Sequence, residues 1–277
     1  MMKVLVTGAH SQLAQCINER FENNSDGINY VFTSREELDI SSIAQLKAFL
    51  SKEHFDFCIN CAAYTDVELA ETNEEKANEI NGLAVGYLAD ICRETHTTLI
   101  HISTDYVFDG SSNIPYKESD STNPISNYGR SKLLGEQEIE KRLKNFFIIR
   151  ASWLYSPYGK NFVKTMSKLM EKNKALNVVD SQEGSPTSCY HLAQFIHFLI
   201  KTPNLAYGTY NFSASNSTTW YDFAEYIANQ MEDYDKSLLK PVSEYKTKAS
   251  RPNYSVLDLG KTLEIFPNIK SWQEGVS

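Results

Sequence analysis

Apolar residues fall in short runs along the first half of the chain, and longer stretches follow in which they recur every three or four positions. Lys3 to Thr7, Tyr30 to Thr33, Phe55 to Asn60, Thr98 to Ser103 and Phe146 to Arg150 read as five buried strands. Between them the spacing predicts helices over Gln12 to Phe21, Ile43 to Leu50, Glu74 to Arg93 and Tyr128 to Arg142. In the second helix Ile43, Leu46, Phe49 and Leu50 share one face. Strands and helices that alternate in this way pair in parallel through right-handed crossovers. The expected fold is therefore α/β: a doubly wound, Rossmann-like parallel sheet with a smaller C-terminal α/β lobe.

The second half is less regular. Asn161 to Lys172, His191 to Ile200 and Tyr221 to Gln230 read as helices, and Ser181 to Thr187 is rich in turn residues. These patterns divide the chain into a nucleotide-binding domain over 1–155 and a lobe formed mainly by 156–277. Later segments are free to return to the sheet, and a ligand cleft is expected between the two parts.

A net charge of −8 argues against non-specific binding to a nucleic acid polymer, which requires a positive surface. An anionic ligand must instead meet local donors in a pocket. The opening apolar run is too short for a signal peptide and ends at once in a glycine turn, and no stretch approaches a membrane span. Five cysteines, an odd count, fit a reducing compartment, so the expected location is the cytoplasm. Cys58 and Cys61 form a C-x-x-C, but they lie in a strand pattern without a second Cys/His pair, so no metal is expected.

Three segments carry chemistry. The first, Thr7-Gly8-Ala9-His10-Ser11-Gln12-Leu13-Ala14, joins a strand to a helix, where backbone N–H groups can receive a pyrophosphate. Of the spacing G-x-x-G-x-x-G it keeps only Gly8, with Ser11 and Ala14 at the other two places, so an ordinary strand–helix turn remains an alternative. The second is Tyr128-Gly129-Arg130-Ser131-Lys132, where a four-residue spacing puts phenol and ammonium on one helix face. A nearby ammonium stabilises a phenolate and makes the tyrosine a usable acid, although Y-x-x-x-K also occurs on plain surfaces. The third, Ser103-Thr104-Asp105-Tyr106-Val107-Phe108-Asp109-Gly110, follows the fourth strand at the carboxyl edge of the sheet, where such folds bind ligands. Glycine turn, hydroxyl and Y-x-x-x-K in this order are far more specific together than singly.

With these motifs in place, the chain resembles the extended short-chain dehydrogenase/reductases, and specifically the dTDP-4-dehydrorhamnose reductase family. The resemblance also runs through Asn60 to Thr65, Arg150 to Tyr155, Gly159 to Val163, Gln182 to Thr187, Thr219 to Ala224 and Arg251 to Asp258. It implies reduction of the 4-keto group of a dTDP-4-keto-6-deoxy sugar with NADPH or NADH. Tyr128 would protonate the C4 oxygen, Lys132 would tune it and hold the nicotinamide ribose, and Thr104 would bond the keto oxygen. Cofactor contacts are expected from Gly8, His10, Ser11, Gln12 and Leu13, from Ala62, Ala63, Tyr64 and Thr65, and from Asp39 and Ile40 beside the adenine. Asp105, Val107, Phe108, Trp153 and Asn161 would contact the sugar nucleotide; for Asp105 a turn cap, and for Trp153 plain core packing, are the alternatives. The likeness extends to the non-catalytic regulatory subunit of methionine adenosyltransferase, a binding-protein alternative, and to sugar-nucleotide epimerases and dehydratases. The expected partner is a sugar nucleotide, with no nucleic acid polymer and no membrane; a homodimer is compatible with the reading, and the sequence leaves the oligomeric state open.

Two cations complete the reading. Arg251 is expected to meet a phosphate of the sugar nucleotide, with a surface salt bridge as the alternative. The second strand ends Phe32-Thr33-Ser34-Arg35, where an acid would select NAD. Arg35 is instead expected to bond a 2′-phosphate and favour NADPH, unless it pairs with Glu36 or Glu37. The chain departs from the family in its glycine turn, in the acidic placement of Thr65-Asp66-Val67-Glu68, and in stopping at Trp272 to Ser277, where relatives continue into a final helix.

Overall fold

A computed structural model describes residues 1–22 and 27–276. The first half runs β1 (Met2–Thr7), α1 (Gln12–Phe21), β2 (Ile28–Thr33), α2 (Ile43–Leu50), β3 (Phe57–Asn60), α3 (Val67–Ala70), α4 (Glu74–Asn78), α5 (Ala84–Glu94), β4 (Thr98–Thr104), α6 (Asn127–Arg142) and β5 (Phe146–Ala151). A further strand, Gly208–Phe212, pairs with β5, and the six strands are parallel in the order Gly208–Phe212, β5, β4, β3, β1, β2. The inner strands are largely apolar on both faces because helices cover both. On one face Leu13 and Ile17 of α1 meet Val4, Val6 and Ile59; on the other, Leu46 of α2 and Leu88 of α5 meet Leu5, Leu99 and Ile148.

The division at residue 155 is interrupted. Gly208–Phe212 completes the sheet, and α8 (Cys189–Lys201) lies beside α1 in the same apolar cluster. The small lobe is built on α7 (Phe162–Met170) and α9 (Trp220–Asn229) around Met170, Leu176, Phe223, Ile227 and Trp272. The turn-rich stretch after Ser181 contains a two-residue strand, Glu183–Gly184, paired antiparallel with Thr218–Thr219.

The helix expected over Glu74 to Arg93 carries a π-helical turn at Glu79–Leu83 between α4 and α5. There is little room between it and α6: a methyl on Gly82 would collide with Leu134, and one on Gly135 with the Asn81 carbonyl. The wide turn holds the Asn81 side chain, 1 % exposed, where its Oδ1 accepts from Tyr64 N at 2.8 Å. Its Nδ2 donates to Tyr64 O and to Ser131 Oγ, each at 2.9 Å. One amide thereby ties the loop after β3 to the helix that bears Tyr128 and Lys132.

Candidate active site

The chain leaves β1 for β2 at one side and returns to β3 at the other, so a crevice opens above the carboxyl ends of β1 and β3. Gly8 makes this possible. Its φ is +68°, and a Cβ there would lie 2.7 Å from Ala62 N, so only glycine lets the turn touch the loop after β3. Ser11, in a glycine place of the fingerprint, caps α1: its Oγ accepts from Ala14 N at 3.2 Å. Gln12 turns toward the second half of the chain, where its Oε1 accepts from Ser156 Oγ at 3.1 Å and Asn161 Nδ2 at 2.8 Å.

Two hollows meet at this crevice. One, of about 330 Å³, is lined by Gly8, His10 and Ser11, by Arg35, Asp39 and Ile40, and by Ala62, Ala63 and Thr65. Here Arg35 Nε lies 3.3 Å from Asp39 Oδ2, four residues along, and its side chain is 65 % exposed. Glu37 is not its partner, because that carboxylate accepts from Ser34 N at 2.8 Å. The second hollow, about 530 Å³, shares His10, Ser11, Cys61, Ala63 and Thr65 with the first. It extends over Gln12, Leu13, Thr104, Asp105, Tyr128, Lys132 and Trp153, and adds Lys160 and Trp220.

The polar groups of the larger hollow sit on rigid ends. Ser126 caps α6, accepting from Gly129 N at 3.1 Å, and the helix then presents Tyr128 and Lys132 on its inner face. Burial pushes the Tyr128 phenol up to about 12, partly opposed by a hydrogen bond with Thr104. Lys132, 2 % exposed, is pulled down to about 8 by burial, against the neighbouring Glu136 and Cys61, which favour its charge. Its Nζ donates to Ile102 O at 2.6 Å. Thr104 Oγ1 donates to Asp105 Oδ1 at 3.0 Å and accepts from Tyr106 N at 3.2 Å. Asp105 is raised to about 7 by burial, despite bonds from Ser255 and Thr104 that favour its anion. Its Oδ2 is buried without a partner among the described residues.

Beneath this layer lies an ion pair that the motifs did not disclose. Arg150 on β5 holds Glu136 of α6 through Nη2–Oε2 at 2.7 Å and Nε–Oε1 at 3.1 Å, with the two side chains 6 % and 2 % exposed. Ser103, just before Thr104, donates to the same carboxylate. β4, β5 and α6 are thus locked together one residue from the catalytic candidates.

Several expected contacts lie elsewhere. Val107 and Phe108 are both fully buried: the 3₁₀ turn Asp105–Val107 steers them into a cluster with Tyr116 and Leu257, away from the cleft. Asn161 is a structural cap, accepting from Lys164 N at 3.1 Å and donating to Ser156 O at 2.8 Å. Tyr64 is tied to Asn81 through its backbone and lies outside the lining of either hollow. Arg251 also lies outside that lining, with Nη2 2.7 Å from Glu68 Oε1. The C-x-x-C holds free thiols, Cys58 being buried in β3.

Sequence reasoning missed Trp220 as a site residue. Trp153, held at φ +46°, stacks on Trp220 with centroids 3.5 Å apart and planes 6° from parallel, forming one wall of the larger hollow. Trp220 falls in the stretch Thr219 to Ala224, and Lys160 between Gly159 and Asn161. Both lay inside segments already matched to the family, which was the available signal.

Comparison with known proteins accords with this site. The family model described as the RmlD substrate binding domain matches residues 2–277. The spore coat polysaccharide biosynthesis protein SpsK of Bacillus subtilis is 36 % identical over 276 residues, covering 100 % of this chain and 96 % of the relative. The dTDP-4-dehydrorhamnose reductase of Sinorhizobium fredii is 33 % identical over 283 residues, covering 99 % and 95 %. Among solved structures, the Bacillus anthracis dTDP-4-dehydrorhamnose reductase in complex with NADP superposes with a TM-score of 0.91 at 36 % identity, covering 100 % of this chain and 98 % of that one. The match spans both the sheet and the small lobe, and with it the whole cleft, so the chain belongs to the dTDP-4-dehydrorhamnose reductase family.

Proposed function

We propose that this chain reduces the 4-keto group of a dTDP-4-keto-6-deoxy sugar with NADPH or NADH, converting dTDP-4-dehydrorhamnose to dTDP-L-rhamnose. The observation that carries the reading is that Thr104, Tyr128 and Lys132 line one cavity, which runs on into the hollow bounded by Arg35 and Asp39. That joined cleft suits a dinucleotide. The N-terminus of α1 offers backbone donors for a pyrophosphate, and Arg35 and Asp39 stand at the adenosine end. The nicotinamide supplies the hydride when bound.

The remaining chemistry belongs to this chain. Tyr128 donates its proton to the C4 oxygen as that oxygen gains charge. Thr104 Oγ1, now turned to Asp105, rotates to bond the same oxygen. Lys132 stabilises the phenolate left behind and bonds a ribose hydroxyl. Trp153 and Trp220 form an apolar wall that keeps water from the sugar ring. Asp105 stands alone after Thr104, whereas dehydration calls for an acidic pair there, and the complete Thr104, Tyr128 and Lys132 set speaks against a purely regulatory role. No helix among the described residues is long and apolar enough to cross a membrane.

The test is direct. The protein is mixed with NADPH and dTDP-4-dehydrorhamnose, and the reduced-nicotinamide absorbance is followed. A fall that depends on the sugar nucleotide is expected; no fall with either NADPH or NADH overturns the reading.

A further inference from the structure

Behind Lys132 lies a buried chain of neutral groups. His101 in β4 is fully buried, and its Nε2 lies 3.4 Å from Lys132 Nζ. On its other side, Nδ1 lies 3.1 Å from Asn60 Nδ2 at the end of β3. Asn60, 1 % exposed, has its Oδ1 fixed by two donors: Thr7 Oγ1 at 2.7 Å and the backbone N–H of Ala62 at 3.3 Å. A backbone N–H can only donate, so Oδ1 faces it and the amide NH₂ must point at His101. The imidazole nitrogen receiving that N–H must carry a lone pair. Burial and the Lys132 charge hold the ring neutral, so its one proton sits on Nε2, the atom facing Lys132.

We propose that His101 is a positioning residue whose tautomer, set by Asn60, presents an N–H to Lys132 and so favours its neutral amine. At 3.4 Å, Nε2 stands within hydrogen-bond reach of Lys132 Nζ, and with its proton on Nε2 the ring can donate there only to a neutral amine. The other groups around Nζ are the Glu136 carboxylate one turn along α6, the Cys61 thiol after β3, the Ile102 carbonyl and Tyr128 one turn back.

The catalytic consequence, though not the geometry, rests on the reductase reading. Once Tyr128 has given its proton to the substrate oxygen, it must be reprotonated. An N–H bond of the Lys132 ammonium breaks and an O–H bond forms on the phenolate. The amine left behind accepts from His101 Nε2–H until a solvent proton restores the ammonium. His101 thus stabilises the state in which Lys132 has just given up its proton.

The tautomer can be read without turnover. In protein labelled with ¹⁵N-histidine, long-range proton–nitrogen correlations identify which ring nitrogen carries hydrogen, and loss of one of the six histidine signals in His101→Gln assigns the residue. The expected result is a neutral Nε2–H ring from pH 6 to 9, and an Nδ1–H ring overturns the proposal. Asn60→Asp replaces the amide donor with an acceptor, keeps the bonds from Thr7 and Ala62, and should switch the ring to Nδ1–H. The alkaline loss of turnover should then move to higher pH. A folded Asn60→Asp protein that keeps Nε2–H also overturns the proposal, and if that variant does not fold, the parent spectrum decides alone. A parent that fails to oxidise NADPH with the sugar nucleotide defeats the reductase reading and leaves the tautomer result standing.

Discussion

Replacing Asp105 with asparagine should make the protein more stable at neutral pH while impairing it as a catalyst. The carboxyl is 2 % exposed, its Oδ2 has no partner among the described residues, and burial raises it from 3.8 to about 7. At pH 3 both the folded and the unfolded chain hold most of this proton. Between about pH 4 and 7 the folded chain still holds it while the unfolded chain has released it, so every increase in pH favours unfolding. A displacement of roughly three pH units, at 1.36 kcal/mol each, amounts to about 4 kcal/mol of lost stability, fully developed above pH 7. An amide cannot ionise and escapes that loss. Urea unfolding of the parent and Asp105→Asn at pH 4.5 and pH 8 measures the effect: the variant should gain on the parent by several kcal/mol at pH 8 and by far less at pH 4.5. A stability difference that is the same at both pH values would refute the assignment of a buried, proton-holding carboxyl. Turnover should fall in the same variant, because Asp105 lines the cavity and bonds Thr104; a destabilising group kept at a ligand site is the usual trade between stability and function.

Tyr128→Phe keeps the ring but removes the proton, so kcat should fall about 10²–10⁴-fold while cofactor affinity, measured by titration, stays near the parent value. Arg35→Ala should lower the ratio of kcat/KM for NADPH to that for NADH; an unchanged ratio would mean that Arg35 only pairs with Asp39. Glu136→Gln leaves Arg150 buried beside an uncharged partner and should cost about 3–5 kcal/mol in denaturant unfolding. The double variant Glu136→Leu with Arg150→Met should recover much of that loss, and a single variant as stable as the parent would show that the pair is not sealed from water.

The parallel sheet was legible because buried strands leave short apolar runs and covering helices leave a 3.6-residue period. Gly208–Phe212 escaped because it stands outside that alternation, far along the chain from the strand it pairs with. At the site, Thr104, Tyr128 and Lys132 could be read from local spacing, since their roles follow from one strand end and one helix face. Val107 and Phe108 could not be separated from Thr104 and Asp105 by sequence, because the tight turn that sends them inward is a matter of backbone geometry. Arg35 found its partner at Asp39 rather than Glu36 or Glu37, since the nearer Glu37 closes back on Ser34. His101 and Asn60 read as buried strand polars, and only the register of β3 against β4, which places Asn60 beside His101, gives them a meaning.

The π-helical turn at Glu79–Leu83 makes the molecule sensitive to a kind of change that point substitutions do not probe. A wide turn holds one residue more than an ordinary helix needs, so removing a single residue there would heal the hydrogen-bond ladder and could improve the helix as a helix. The same deletion would advance everything after it by one position, about 100° around the axis, and carry Asn81 off both Tyr64 and Ser131. In this segment length is therefore constrained more tightly than composition: many side chains could occupy the exposed positions, but the number of residues between β3 and α5 is set by the need to aim one amide at the loop beside the cleft.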